Sequence, residues 1–349
     1  MLVAAAVDYD MVTGKRHGDL TRRIANDIRL RRRLDLGIDS VPAMSQAVAT
    51  YKPLADRRKH ELEGGIVIVG RPTFKEFMAG LKEGWTDGLE EIDQDEQLAR
   101  ELETDGHFDE PEEAAVEDRA DTHKRPGFSG SQYKPPPEIR LLRPDLHTNA
   151  QAAAIPPTPP LLLVSFTNYI GFTQIPRMIW DFFNQRHKVR SGAEAGYRLV
   201  MKHTRPIVPP SGDPEPMFLD VTRTYNDNGD LDFDQHVESV YKKSVLSIPA
   251  DIEKERQRYY EALPAKLATA RELARGTREP TKDEKEYPPP TEVELSAERL
   301  KKEQRWRRDM KGWNIVKPTQ KVVWDDRFKD SLHIFIDPPS ARDKDIDIE

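Results

Sequence analysis

The sequence predicts an α/β fold: a mixed or mostly parallel sheet flanked by helices, with a long disordered acidic and Pro-rich insertion and charged C-terminal helices. Two observations place the sheet. "GGIVIVGRPTFKEFMAGLKEGW" and "LLLVSFTNYIGFTQIPRMIWDFFNQRHKVRSG" each pass from a short apolar run, through a glycine turn, into a helical stripe. That step builds sheets with packed helices. A third observation places the insertion. Glu90 to Asp121 hold 15 acidic and two basic residues, a net of −13 in a chain whose total is −7, so the remainder is mildly basic at +6.

The elements follow in order. "LVAAAVDYDMV" reads as a strand. Asp19 then serves as a helix N-cap, and Leu20, Ile24 and Ile28 form one apolar stripe among arginines. Ile66 to Val69 form a β-branched strand between Gly65 and Gly70. Thr73 and Glu76 match a T-x-x-E capping box, ahead of a face made by Phe74, Phe77, Met78, Leu81 and Trp85. Periodicity then stops until Leu161, apart from one short strand possible in "EIRLLRPDL".

Leu161 to Phe166 form a strand. Thr173 caps a helix with Pro176 in its first turn, where a missing donor costs little. Its stripe is Ile175, Met178, Ile179, Phe182 and Phe183. A second helical piece follows a break at Ser191-Gly192, and Asn228-Gly229 marks a hairpin or tight turn. Asp251 to Ala274 read as a helix interrupted or kinked at Pro264, Leu295 to Met310 as another, and Leu332 to Ile336 as a last strand. The chain thus divides into core segments 1–89 and 161–250, the insertion 90–160, charged helices 251–312 and a closing segment 313–349.

Composition narrows the function. Cysteine is absent, which excludes disulfides, thiolate metal sites and a thiol nucleophile. With 28 prolines and 33% charged residues, part of the chain stays unpacked. No apolar run approaches the roughly 18–20 residues that cross a bilayer, and no leader pattern opens the chain. Read as written, it is soluble and carries no address.

Catalytic motifs are missing. The nine histidines are scattered without ligand spacing. The Gly70 turn precedes a helix and suggests an anion site, but lacks both glycine-rich phosphate signatures. It supports one alternative, an α/β enzyme binding a nucleotide or phosphometabolite through Gly70, Asp8 and Asp10. Asp8/Asp10 and Asp325/Asp326 read more simply as turn carboxylates. Arg29 to Arg33 could meet phosphate or anionic lipid. No aromatics are interleaved with them as in a nucleic-acid module, so no nucleic acid is expected. The sequence therefore names no catalytic residue, metal or cofactor.

"RMIWDFFNQRHKVR" sets aromatics beside cations. A stripe at helical spacing reads as core. Its neighbours Arg177, Arg186, Lys188 and Arg190 read as an exposed partner-binding ring, with the acidic insertion as a second partner-facing element.

Three blocks carry a resemblance: "LVAAAVDYD", "GGIVIVGRPTFKEFMAGLKEGW" and "LLLVSFTNYIGFTQIPRMIWDFFNQRHKVRSGAEAGYRLVM". They are similar to the large-subunit family of the fungal mitochondrial inner-membrane carrier translocase, and the similarity extends to "WDDRFKDSLHIF". The resemblance implies a non-enzymatic subunit, with its soluble domain in the intermembrane space. Its partners would be the pore subunit, accessory membrane subunits, the small Tim chaperones and an inner-membrane ATP-dependent protease. Family members carry a transmembrane helix and a first strand-helix unit. On that pattern this chain starts beyond them, just before the second strand, and leaves an unpaired edge at "LVAAAV".

Overall fold

The computed structural model describes residues 9–39, 54–89, 94–109, 136–137, 155–167, 169, 174–209, 229–240 and 246–338. Residues 2–8 of the expected N-terminal strand, with its edge and Asp8, lie outside them, as do Thr173 and "EIRLLRPDL"; residues 9–12, the rest of that strand, are described and are not strand. In chain order the elements are α1 (Asp19–Asp35), α2 (Leu54–Glu63), β1 (Ile66–Val69), α3 (Arg71–Thr86), α4 (Gln94–Thr104), β2 (Leu161–Val164), α5 (Ile175–Phe183), α6 (Arg186–Met201), β3 (Thr204–Pro206), α7 (Ile248–Ala274), α8 (Lys282–Glu286), α9 (Glu292–Val316) and β4 (His333–Phe335). They fall into two compact units. One holds 1–89, 143–246 and 312–349; the other holds 90–142 and 247–311.

The first unit is built on a mixed four-stranded sheet of order β1-β2-β4-β3. β1 pairs with β2, and β2 with β4, in parallel; β3 closes antiparallel on β4. Register puts Ile66 beside Leu161, Ile68 beside Leu163, and Leu161 beside Ile334. Partners in register share a face. That face meets Phe74, Phe77, Met78 and Leu81 of α3 in one core, as the periodicity of "FKEFMAGL" predicts. The other face is thinly covered at the β1 side, where Val67 and Val69 stay exposed.

Two local readings are corrected. The capping box does not form. Gly70 is the N-cap, at φ 82, and Pro72 occupies the first turn, so Thr73 already lies inside α3. Proline is preorganised for that first turn, which moves the helix start upstream. Glu76 instead reaches across to α1, where its carboxylate accepts from the Leu20 amide (3.2 Å). Burial pushes that carboxyl up, against the pull of backbone donors from Gly18, Leu20 and Thr21. Asp19 is likewise the first residue of α1, with Gly18 as its N-cap. The buried face of α1 is Thr21, Ala25, Ile28 and Arg32, with Ile24 at its margin.

α1 and α3 approach closely through two glycines. A Cβ on Gly80 would stand 2.8 Å from the Thr21 carbonyl oxygen, and one on Gly84 would stand 2.8 Å from Ile28 Cβ. A backbone oxygen cannot rotate aside. Gly80→Val is therefore expected to lower stability by about 2 kcal/mol or more through overpacking. Urea unfolding checks this, and an unchanged midpoint would show that the two helices separate freely.

The second unit is helical. α7 and α9 share a core of Ile252, Tyr259, Tyr260, Leu263, Leu267, Ala270, Leu295 and Trp306. α7 runs through Pro264 as one element. The lost backbone bond costs about 3 kcal/mol, and burial of Tyr260, Leu263 and Leu267 around it outweighs that. The expectation of a structureless 90–160 is corrected at its first part. Gln94–Thr104 is helix α4, and its Leu98 and Leu102 are buried. Two leucines in so acidic a segment look solvated in sequence, but arginines of α9 neutralise their neighbours. Arg307 pairs with Glu101 at 2.8 Å and Arg308 with Asp95 at 2.9 Å.

Candidate functional site

The Gly70 turn comes first. Its amide donates to the Val164 carbonyl (2.8 Å), and Phe166 packs over it. The adjacent cations face inward. Arg71 is 2% exposed and donates to the Leu231 and Phe233 carbonyls and to Glu238. Lys75 donates to the Lys317 carbonyl and pairs with the same Glu238. Burial pulls the Lys75 ammonium below its ordinary value, and Glu238 offsets this only in part. Asp234 accepts from the Ser165 hydroxyl (2.8 Å) and the Phe166 amide (3.2 Å) at the end of β2. The groups that would bind a phosphate are thus engaged in holding 229–240 onto the sheet.

The other candidates resolve similarly. Asp325 accepts from the backbone and side chain of Arg327, whose hydrogen bond holds its carboxyl below the usual range. Asp10 is exposed. The basic run of α1 is paired within the molecule: Arg29 with Asp87, Arg31 with Glu61 and Arg33 with Asp39. Arg32 is buried, lies over the Trp85 ring, and caps the Gly84 and Asp87 carbonyls. Among the described residues, no cluster of three or more His, Asp or Glu side chains could hold a metal ion.

α5 and α6 make the remaining surface, and here the structure overturns the core assignment. No residue of α5 is buried. Trp180 is 72% exposed, Phe182 69% and Phe183 79%, with Ile175, Met178 and Ile179 also exposed. At 100° per residue, the apolar side chains sweep an arc of about 200°. Arg177 and Asp181 occupy the remaining side. Asp181 is turned inward, 14% exposed, and pairs with Lys188 and with His187 at 3.3 Å. The helix is inside out: its carboxylate faces α6 and its aromatics face away.

α5 ends at Asn184, whose ψ of 64 leaves the helical region. α6 then runs without interruption through Ser191-Gly192, so the expected break lies seven residues earlier. The far end of α6 is tied to the sheet. Arg198 bonds Asp337 through two nitrogens (2.8 and 2.7 Å), and Lys202 donates to the Glu63 carbonyl. The near end stands clear. Arg177, Arg186, Lys188 and Arg190 are all exposed beside the aromatics. Lys188 pairs with Asp181, and Arg190 with Glu194 at 2.8 Å. The sequence marked these four cations. It missed the aromatics as surface, although only two polar positions in nine residues is too few for a helix with one solvated face.

Comparisons with known proteins agree on one family. The family model described as "Inner membrane protein import complex subunit Tim54" matches residues 1–335. Proteins called mitochondrial import inner membrane translocase subunit TIM54, from two strains of Cryptococcus neoformans var. neoformans, are 34% identical over 354 residues, covering 98% of this chain and 73% of theirs. The protein of that name from Candida albicans is 26% identical over 258 residues, covering 60% of this chain and 62% of its own. No solved structure matches. Among the described residues, no helix is long and apolar enough to cross a membrane. With the family model matching nearly the whole chain, this protein belongs to the Tim54 family of mitochondrial inner-membrane import translocase subunits.

Proposed function

We propose that the protein is a non-enzymatic assembly subunit of the inner-membrane carrier translocase, working from the intermembrane space. It supports insertion of multispanning carrier proteins by docking the small Tim chaperones and stabilising the complex. The observation that carries this reading is the α5–α6 surface. Large exposed apolar patches rimmed by charge mark interaction sites. Arg177, Arg186, Lys188 and Arg190 are the residues assigned to docking. The pore subunit, accessory membrane subunits and an ATP-dependent protease are the further partners.

Arg186→Glu with Arg190→Glu tests it. The exposed Arg190–Glu194 pair contributes little to folding, so the melting temperature should not move. Co-purification of the pore subunit from detergent-solubilised mitochondria should fall roughly tenfold. Undiminished recovery would remove these residues from the docking role.

A further inference from the structure

The α5–α6 surface combines three features that ask for one kind of occupant. Its apolar arc is broad, about 200° of the helix. A groove on a protein accepts a narrow stripe of anchors at helical spacing, whereas a wide arc suits an apolar layer. The helix has nine residues, so it is about 14 Å long. A bilayer core is about 30 Å thick, so α5 can lie in a membrane plane but not across it. Finally, the charges suit an anionic surface. From Gln174 to Gly192 there are four cations, Arg177, Arg186, Lys188 and Arg190, and one carboxylate, Asp181. That carboxylate is withdrawn and paired with Lys188.

We infer that α5 inserts into the interfacial layer of an anionic bilayer, aromatics down, with the four cations at headgroup level. At the same 100° spacing Ile179 stands at the centre of the arc and goes deepest, with Ile175 and Phe183 about 40° to either side, Phe182 about 60° away and Trp180 at one edge. Indole and phenyl rings beside cations are the composition of interfacial helices. The family is one of inner-membrane translocase subunits, which puts a bilayer beside it. The inference rests on the reading of α5–α6 as an interaction face: it gives the apolar arc of α5 to the bilayer and leaves the protein partners to the charged rim.

The test uses the full chain, floated with mixed phosphatidylcholine–cardiolipin vesicles and with pure phosphatidylcholine vesicles, at low and high salt. Wild type should float with the anionic vesicles, more weakly at high salt, and poorly with neutral ones. Trp180→Ser with Phe183→Ser should cut partition by roughly a hundredfold. Both side chains are exposed, so unfolding should be unchanged. Sedimentation without vesicles detects the competing occupant, a second copy of the chain. Self-association abolished by the same substitutions, with no flotation, overturns the inference. So does flotation that survives them. If flotation is absent while Arg186→Glu with Arg190→Glu still disrupts the translocase, the bilayer inference falls and the docking reading stands. If assembly is also undisturbed, both fall.

Discussion

Glu303→Ala is expected to unfold the helical unit, at a cost of about 3–5 kcal/mol. Glu303 is fully buried, at 0% exposure. Its Oε1 accepts from Arg256 Nε (3.2 Å), Arg256 Nη2 (3.1 Å) and the Tyr260 hydroxyl (3.0 Å). Tyr260 in turn accepts from Arg299 (3.1 Å), which also holds the Leu102 carbonyl and Asp105. Burial, and then the Glu303 charge, push the Tyr260 phenol well up, so it stays a neutral donor. Without the carboxylate, the Arg256 cation keeps its burial and loses its main counter-charge. Domains are stable by only about 5–15 kcal/mol, so the loss is a large share. Hydrogen exchange should show Ile248–Ala274 losing protection while β1 and β2 keep theirs. Glu303→Gln should cost less, since an amide oxygen still accepts from Tyr260. Equal effects for the two would mean that the charge, which both variants lose, holds this unit, and not the shape that glutamine keeps.

Phe74→Ala is the largest change expected in the sheet unit, about 3–5 kcal/mol. Phe74 has 0% exposure and meets the Phe233 ring edge-on, with centroids 6.2 Å apart. It therefore joins α3 to 229–240 as well as to the sheet. The cavity would open beside Arg71, whose bonds to the Leu231 and Phe233 carbonyls depend on the same packing. Phe74→Leu keeps most of the volume and should cost far less. Thermal unfolding of both variants settles the point. A small loss for alanine would mean that the surrounding side chains collapse into the space.

The strand-turn-helix step at Ile66–Thr86 was legible because a β-branched run before Gly70 meets helical spacing after it. Leu161–Val164 was legible in the same way. α4 was not, because its stabilising arginines lie in α9, about two hundred positions away in the chain. The capping box failed for a local reason: Pro72 offered a better helix start than Thr73. In the candidate site, the four cations were legible as charge next to aromatics. The direction in which the aromatics point was not.

What the sequence determined by itself is the set of amphipathic pieces, the sheet class, the family blocks and the want of catalytic motifs. All of these depend on residues within one or two turns of each other. Tertiary structure alone decided which apolar surface is covered. Hydrophobic burial has no direction and scales with area removed from water, so a stripe of Ile, Trp and Phe carries no record of what it faces. The face of α3 found a sheet. In α5 no described element covers the stripe, and Trp180, Phe182 and Phe183 stay exposed.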